Sequence, residues 1–193
     1  MSYASETALN FSSRAASPWF LSGCRSRAKE RYFFLISSAP AFFSPKEDAF
    51  YRKCLNEGFA KSGEANKSDR FEVASGVMII PGDDVEACAN FVRPFLALYA
   101  GGMGARGANF HFEVFARMGY EDVALKVQDL YLAGKKEEAA ASIPLAMVED
   151  VALVGPMAKI KDEMAKWRET CITTFLISGP PQVLETYAEL VAG

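Results

Sequence analysis

The chain holds a single histidine and four scattered cysteines among 193 residues, and these scarcities remove whole classes of chemistry. Cys24, Cys54, Cys88 and Cys171 form no Cys-x-x-Cys pair, and with only His111 to join them they make no zinc site. Free buried thiols are the expected state, which fits a reducing compartment and a cytoplasmic protein. Positive charge is not in excess either. With 21 basic against 24 acidic residues the net charge is −3, which argues against nucleic acid or an anionic membrane surface as partner. No apolar run reaches the ~18 residues of a spanning helix, so no membrane partner is expected.

What is present suits one soluble domain: half of the residues are hydrophobic, and the length is enough to bury a core. Residues 1–31 stand apart. They carry seven serines and five basic residues against two acids, without a period of 3.6 or 2. Such a composition suits a transit peptide, a disordered tail, or sequence unrelated to the domain behind it. Lacking a hydrophobic helical face, the segment is read as an unrelated or disordered tail, and the domain as residues 32–193.

From Tyr32 the pattern alternates. Tyr32-Phe-Phe-Leu-Ile36 reads as a buried strand. Ser44-Pro45-Lys46-Glu47 reads as a helix start, with serine as cap and proline in the first turn, and the helix should reach about Lys61 and end near Gly63. Phe71 to Ile80 reads as one strand, apolar on both faces toward its end, as parallel sheets require. Asp83 is the expected cap of the next helix, which Pro94 should kink and the glycines from Gly101 should stop. Helices are expected over 109–118, 120–132, 135–142 and from Gly155-Pro156 to about Glu169. Ile172 to Ile177 reads as a strand, and Pro180-Pro181 opens the last helix. This is the order of an α/β parallel sheet.

Gly101-Gly-Met-Gly-Ala-Arg-Gly107 packs four glycines and an arginine into seven residues. Exposed amides beside Arg106 would cradle a phosphate or carboxylate, ahead of a helix N-terminus. A tight interhelical turn with Arg106 on a nearby carboxylate accounts for the same residues. The spacing matches neither the dinucleotide fingerprint nor the P-loop. His111 is the one side chain that titrates near neutrality, and reads either as an acid or base or as a packing residue. Val154-Gly155-Pro156 reads as an anion-facing amide set or as a plain helix start. Thr173, Thr174, Ser178 and Gly179 lie near the end of a strand, where a parallel barrel builds its active face. No catalytic residue is assigned.

Phe42-Phe-Ser-Pro45, Glu57-Gly-Phe59, Phe71-Glu-Val73, Gly82-Asp-Asp-Val-Glu-Ala87, the Gly101–Gly107 stretch, Gln128-Asp-Leu-Tyr-Leu-Ala-Gly134, Leu153-Val-Gly-Pro156 and Trp167-Arg-Glu169 occur in one order from about Ala39 through Leu190. Together they resemble the C-terminal half of the luciferase-like oxidoreductases, and within these the branch that uses the deazaflavin F420; other branches use FMN with molecular oxygen as monooxygenases. The resemblance implies the last few strand–helix units of a (β/α)8 barrel with a helical insertion, and hydride transfer between F420 (or FMN) and a small organic substrate. It implies cofactor- or substrate-tail contacts at Gly104, Arg106 and Gly107 and at the strand ends near Ile80 and Ser178, and no metal. A complete barrel needs ~250 residues. The chain is therefore expected to be truncated and incomplete alone, completed by a second copy or a complementing N-terminal half. The alternative is a non-catalytic remnant or binding module of the same fold.

Overall fold

Parallel pairing runs through every strand of the computed structural model, which describes residues 35–38, 42–63 and 68–192. The expected tail, the start of the Tyr32–Ile36 strand and Cys24 lie outside the described residues. The order is β1 (Leu35–Ser38), α1 (Asp48–Ser62), β2 (Phe71–Gly76), β3 (Met78–Pro81), α2 (Val85–Ala97), α3 (Phe110–Phe115), α4 (Glu121–Leu132), α5 (Lys136–Ala141), α6 (Leu145–Glu149), β4 (Ala152–Gly155), α7 (Met157–Arg168), β5 (Thr174–Leu176) and α8 (Pro181–Ala192). One sheet has the order β1-β2-β5, and β3 and β4 form the other.

The expected strand from Phe71 to Ile80 is two strands, because its partner changes at Val77. As far as Gly76 the backbone pairs with β5, with Ala74 opposite Thr174. Val77 donates its amide to the Leu176 carbonyl at 3.2 Å. Beyond it the ladder passes to β4, with Ile79 opposite Leu153. β4 itself was not expected as a strand. Its four residues are all buried, and so short an apolar run carries no period that separates strand from buried helix.

The strand period of two sorts side chains to opposite sides of the β3–β4 pair. Ala152 and Val154 face a core shared with Phe42, Leu96, Phe115, Val127 and Met147 of the loop and helices. Leu153 and Ile79 face another, with Phe43, Ile160, Met164 and Trp167. The neighbours Phe42 and Phe43 are both fully buried and enter different cores. Burying each such ring contributes about 1.5–3 kcal/mol.

Helix ends follow local chemistry. The Ser44 hydroxyl accepts from the Lys46 amide, and Pro45–Glu47 forms a 3-10 turn into α1, which stops at Gly63. α2 is capped one residue later than expected. Asp84, not Asp83, adopts the extended cap conformation, and its carboxylate accepts from the Glu86 and Ala87 amides. α2 runs through Pro94 and widens into a π turn, Leu98–Gly102, at the expected stop. A second π turn, Ala116–Tyr120, separates α3 from α4.

Candidate functional site

β3 and β4 end side by side. Pro81 lies opposite Gly155, and the Gly82 amide donates to the Gly155 carbonyl at 3.0 Å. Both glycines are required by space. A Cβ on Gly82 would lie 2.6 Å from Cys88 Sγ, and one on Gly155 would lie 2.8 Å from Val85 Cγ2. Gly155 also has φ +110°, which a side chain would strain. The strand ends thus close directly onto the first turn of α2. In parallel α/β folds such carboxyl ends form the ligand-binding face.

Two helices start here with different amide chemistry. The amides of α2 are taken by Asp84, whereas α7 follows the extended Pro156 without a side-chain cap. Free first-turn amides favour an anion. One turn into this region Lys159 Nζ meets the Val154 carbonyl at 3.1 Å, Glu149 at 3.0 Å and Glu163 at 2.8 Å. Burial opposes the lysine's charge, but the hydrogen bonds it donates to Glu163 and Glu149 outweigh it and raise its pKa. The other Glu163 oxygen, Oε2, is buried without a hydrogen-bond partner.

The glycine–arginine stretch is packed at Gly101, Gly102 and Gly104 and open beyond them. A Cβ on Gly101 or Gly102 would meet the Tyr131 side chain at 2.5 Å, and one on Gly104 would lie 2.8 Å from Asn109 Cα. Asn109 Nδ2 donates to the Tyr99 and Ala100 carbonyls at 2.8 and 2.9 Å, closing the π turn. Its Oδ1 accepts from the His111 and Phe112 amides, capping α3. Arg106 pairs with Asp129 at 2.5 Å, and both side chains are more than half exposed. Gly107 takes φ +73° in the open.

His111 is buried among Phe42, Tyr99 and Phe110, whose ring centroids lie 5.7, 4.7 and 3.9 Å from its own. Its Nδ1 has no partner, and burial lowers its pKa. Thr173 is spent on the sheet: its Oγ1 accepts from the Val73 amide, and its own amide donates to the Val73 carbonyl, both at 2.9 Å. Thr174 sits in β5 opposite Ala74, and Ser178 and Gly179 are exposed beyond it.

The sequence reading missed a hub at Lys46, Glu47 and Asp48, since isolated charges carry no motif. Lys46 pairs with Asp150 at 2.6 Å, and Asp150 also accepts from the Tyr120 hydroxyl at 2.7 Å. Glu47 pairs with Arg117, whose guanidinium lies 4.1 Å above the Phe50 ring. Asp48 accepts from the Cys171 amide at 2.6 Å and from Arg52. Burial works against the Asp48 charge, but these bonds from Arg52 and Cys171 outweigh it and lower its pKa. The Cys171 thiol is pushed up to about 11 by burial and then by Asp48. Cys88 and Cys171 are buried, whereas Cys54 is exposed, contrary to expectation, because it lies on the outer face of α1. Among the described residues no group of three or more His, Cys, Asp or Glu side chains could hold a metal ion, and no helix is long and apolar enough to cross a membrane.

Parallel strands, their shared carboxyl ends and the helical insertion between β3 and β4 are the geometry of part of a luciferase-type barrel. The family model described as luciferase-like monooxygenase matches residues 26–174, and the chain belongs to that family. Among curated proteins it is 37% identical over 153 residues to a Mycobacterium tuberculosis protein named "Putative coenzyme F420-dependent oxidoreductase". Among solved structures it matches the coenzyme F420-dependent tetrahydromethanopterin reductase of Methanopyrus kandleri, with a TM-score of 0.56 and 18% identity, a likeness of fold. The matches cover 79% and 77% of this chain but 44% and 41% of those proteins, so the chain spans less than half the length of either relative.

Proposed function

We propose that this chain forms part of an F420-dependent oxidoreductase that passes hydride to or from a small organic substrate in the cytoplasm. The observation that carries the reading is its 37% identity to the mycobacterial relative with F420 in its name. When bound, the deazaflavin supplies the hydride carrier. The residues present fit its anionic tail, because the first amides of α7 lack a side-chain cap where β3 and β4 end. In this reading the Met157 and Ala158 amides hold that tail. Lys159, tied to the Val154 carbonyl, keeps the end of β4 in place beneath them. Gly104, Arg106 and Gly107 form a second contact, with exposed Arg106 exchanging Asp129 for an anionic group of cofactor or substrate. A second copy of the chain or a separate N-terminal half completes the barrel wall.

The test is titration of the purified chain with F420 and, separately, FMN, followed by visible absorbance and fluorescence. Saturable F420 binding, weakened by Arg106→Ala, supports the reading. Preference for FMN moves it to the flavin branch. Binding of neither favours the second reading, a non-catalytic module of the same fold.

A further inference from the structure

We propose that Gln128 reads a ligand: together with Arg106 it takes a small organic acid that also carries an amide group. Buried polar side chains elsewhere in the chain are spent on hydrogen bonds, as folding requires. Asn109 makes four, two from Nδ2 and two to Oδ1. Buried Arg93 donates to the Ile143 carbonyl and to Asn90 Oδ1. Gln128 is 4% exposed and makes no hydrogen bond among the described residues. Its amide is not sealed either. The fully enclosed, unpaired side-chain atoms among the described residues are His111 Nδ1 and Glu163 Oε2. The oxygen and nitrogen of the Gln128 amide therefore both reach the little surface that this residue keeps. The side chain is a buried stem with its amide at the floor of a narrow opening.

Gln128 lies in the segment of α4 that runs along the glycine–arginine stretch. The Val127 carbonyl would lie 3.2 Å from a Cβ on Gly101, and Tyr131 meets Gly101 and Gly102. Between them Asp129 holds Arg106. That carboxylate reaches a single nitrogen of the guanidinium, and the arginine side chain is 60% exposed, so its other donors stay open to an anion. The two protein groups define the two ligand groups. A guanidinium fork takes a carboxylate. A carboxamide presents a donor beside an acceptor, and a second amide matches both. A bare phosphate would satisfy Arg106 but leave the Gln128 oxygen without a donor. A site built on such a hydrogen-bonding pair rejects the analogue that lacks the group.

The inference deepens the contact proposed at Arg106 and rests on that contact, not on F420. The probe is N-acetylglycine, with acetate and acetamide as its separate halves, titrated into the purified chain and followed by two-dimensional amide NMR. N-acetylglycine should move the Gln128 side-chain amide signals and bind roughly tenfold more tightly than acetate, the gain of one hydrogen-bonded group. Gln128→Leu keeps a good helix former in place. It should lower N-acetylglycine binding to the level of acetate and leave acetate unchanged, whereas Arg106→Ala should weaken both. Gln128→Leu should also raise the urea midpoint, because it removes an unpaired buried amide. An amide that serves only the fold would lower it. N-acetylglycine binding no tighter than acetate, Gln128 signals that stay in place, or a lower midpoint in Gln128→Leu would overturn the inference. The titration of the unaltered chain decides even where the variant does not fold. A chain that binds N-acetylglycine through Gln128 but no F420 overturns the cofactor reading and leaves this inference standing. F420 binding with N-acetylglycine ignored does the reverse.

Discussion

On one side of the β3–β4 pair, α2 to α6 pack through small residues: Ala89, Ala97, Ala100, Ala124, Ala139 and Ala152 are buried there, beside Gly101. On the other side, α7 packs through Ile160, Met164 and Trp167 onto Phe43, Val73 and Leu153, without an alanine. The first core also holds Phe42, Leu96, Phe115 and Met147, but around its alanines and Gly101 backbones come close, so that an added methyl there has nowhere to go. The second gains its contacts from side-chain volume, so that removed atoms leave a hole. The same sheet pair thus separates a core sensitive to overpacking as well as to cavities from one in which cavities dominate.

The sharpest test is truncation in the second core. Trp167→Ala should cost about 3–5 kcal/mol by urea unfolding, with a lower midpoint and unchanged slope. A loss of less than about 1 kcal/mol would show that the region collapses to fill the space. Phe42→Ala and Phe43→Ala extend this test in hydrogen exchange. The first should loosen α2 to α6 and the second α7 and the β2 region, although the two residues are adjacent.

In the first core added volume, rather than removed volume, is the test. Gly101→Ala drives a methyl into Tyr131 and should destabilise by about 1–3 kcal/mol. Gly58→Ala in α1, where no atom lies within 4 Å of the new Cβ, should stabilise by about 0.4–1 kcal/mol. Equal effects at the two positions would erase the distinction.

The pH effect expected near neutrality belongs to the first core. His111 has a folded-state pKa below its unfolded value, lowered by burial. The unfolded chain therefore binds the extra proton, and this stability is full above about 6.5 and is lost as the pH falls below it. Thermal unfolding against pH should show that slope, and His111→Phe should flatten it. An unchanged slope would place the titrating group elsewhere. The smallest stability effect is expected at Arg106→Ala, at most about 1 kcal/mol for an exposed pair. The same variant tests the cofactor contact, where its effect on F420 binding should exceed its effect on stability.

Element types were largely legible because periodicity and caps are local. Ser44, Gly63, Gly134 and the Pro180-Pro181 pair each stand at or beside an observed boundary. β4 was not legible as a strand, since four buried residues carry no period. The division at Val77 was not legible either, because it depends on which partner lies alongside. At the candidate site, the glycine–arginine stretch was visible as unusual composition. Its two readings, a turn or a cradle, could not be separated without knowing that Tyr131 and Asn109 lie against it. The hub at Lys46, Glu47 and Asp48 left no trace, because its partners are Asp150, Arg117 and Cys171.

The sequence by itself determined the family, the alternation of strands and helices, and most of the helix ends, all of which are written in neighbouring residues or in a linear order of motifs. Only the tertiary structure decided that β3 and β4 share their carboxyl ends, that Phe42 and Phe43 enter different cores, and that the glycines of the insertion make room for Tyr131 and Asn109. The physical reason is range. Caps and periods act over one or two turns, whereas strand partners, close backbone approach and ion pairs join residues far apart in the chain, and such contacts exist only once it has folded.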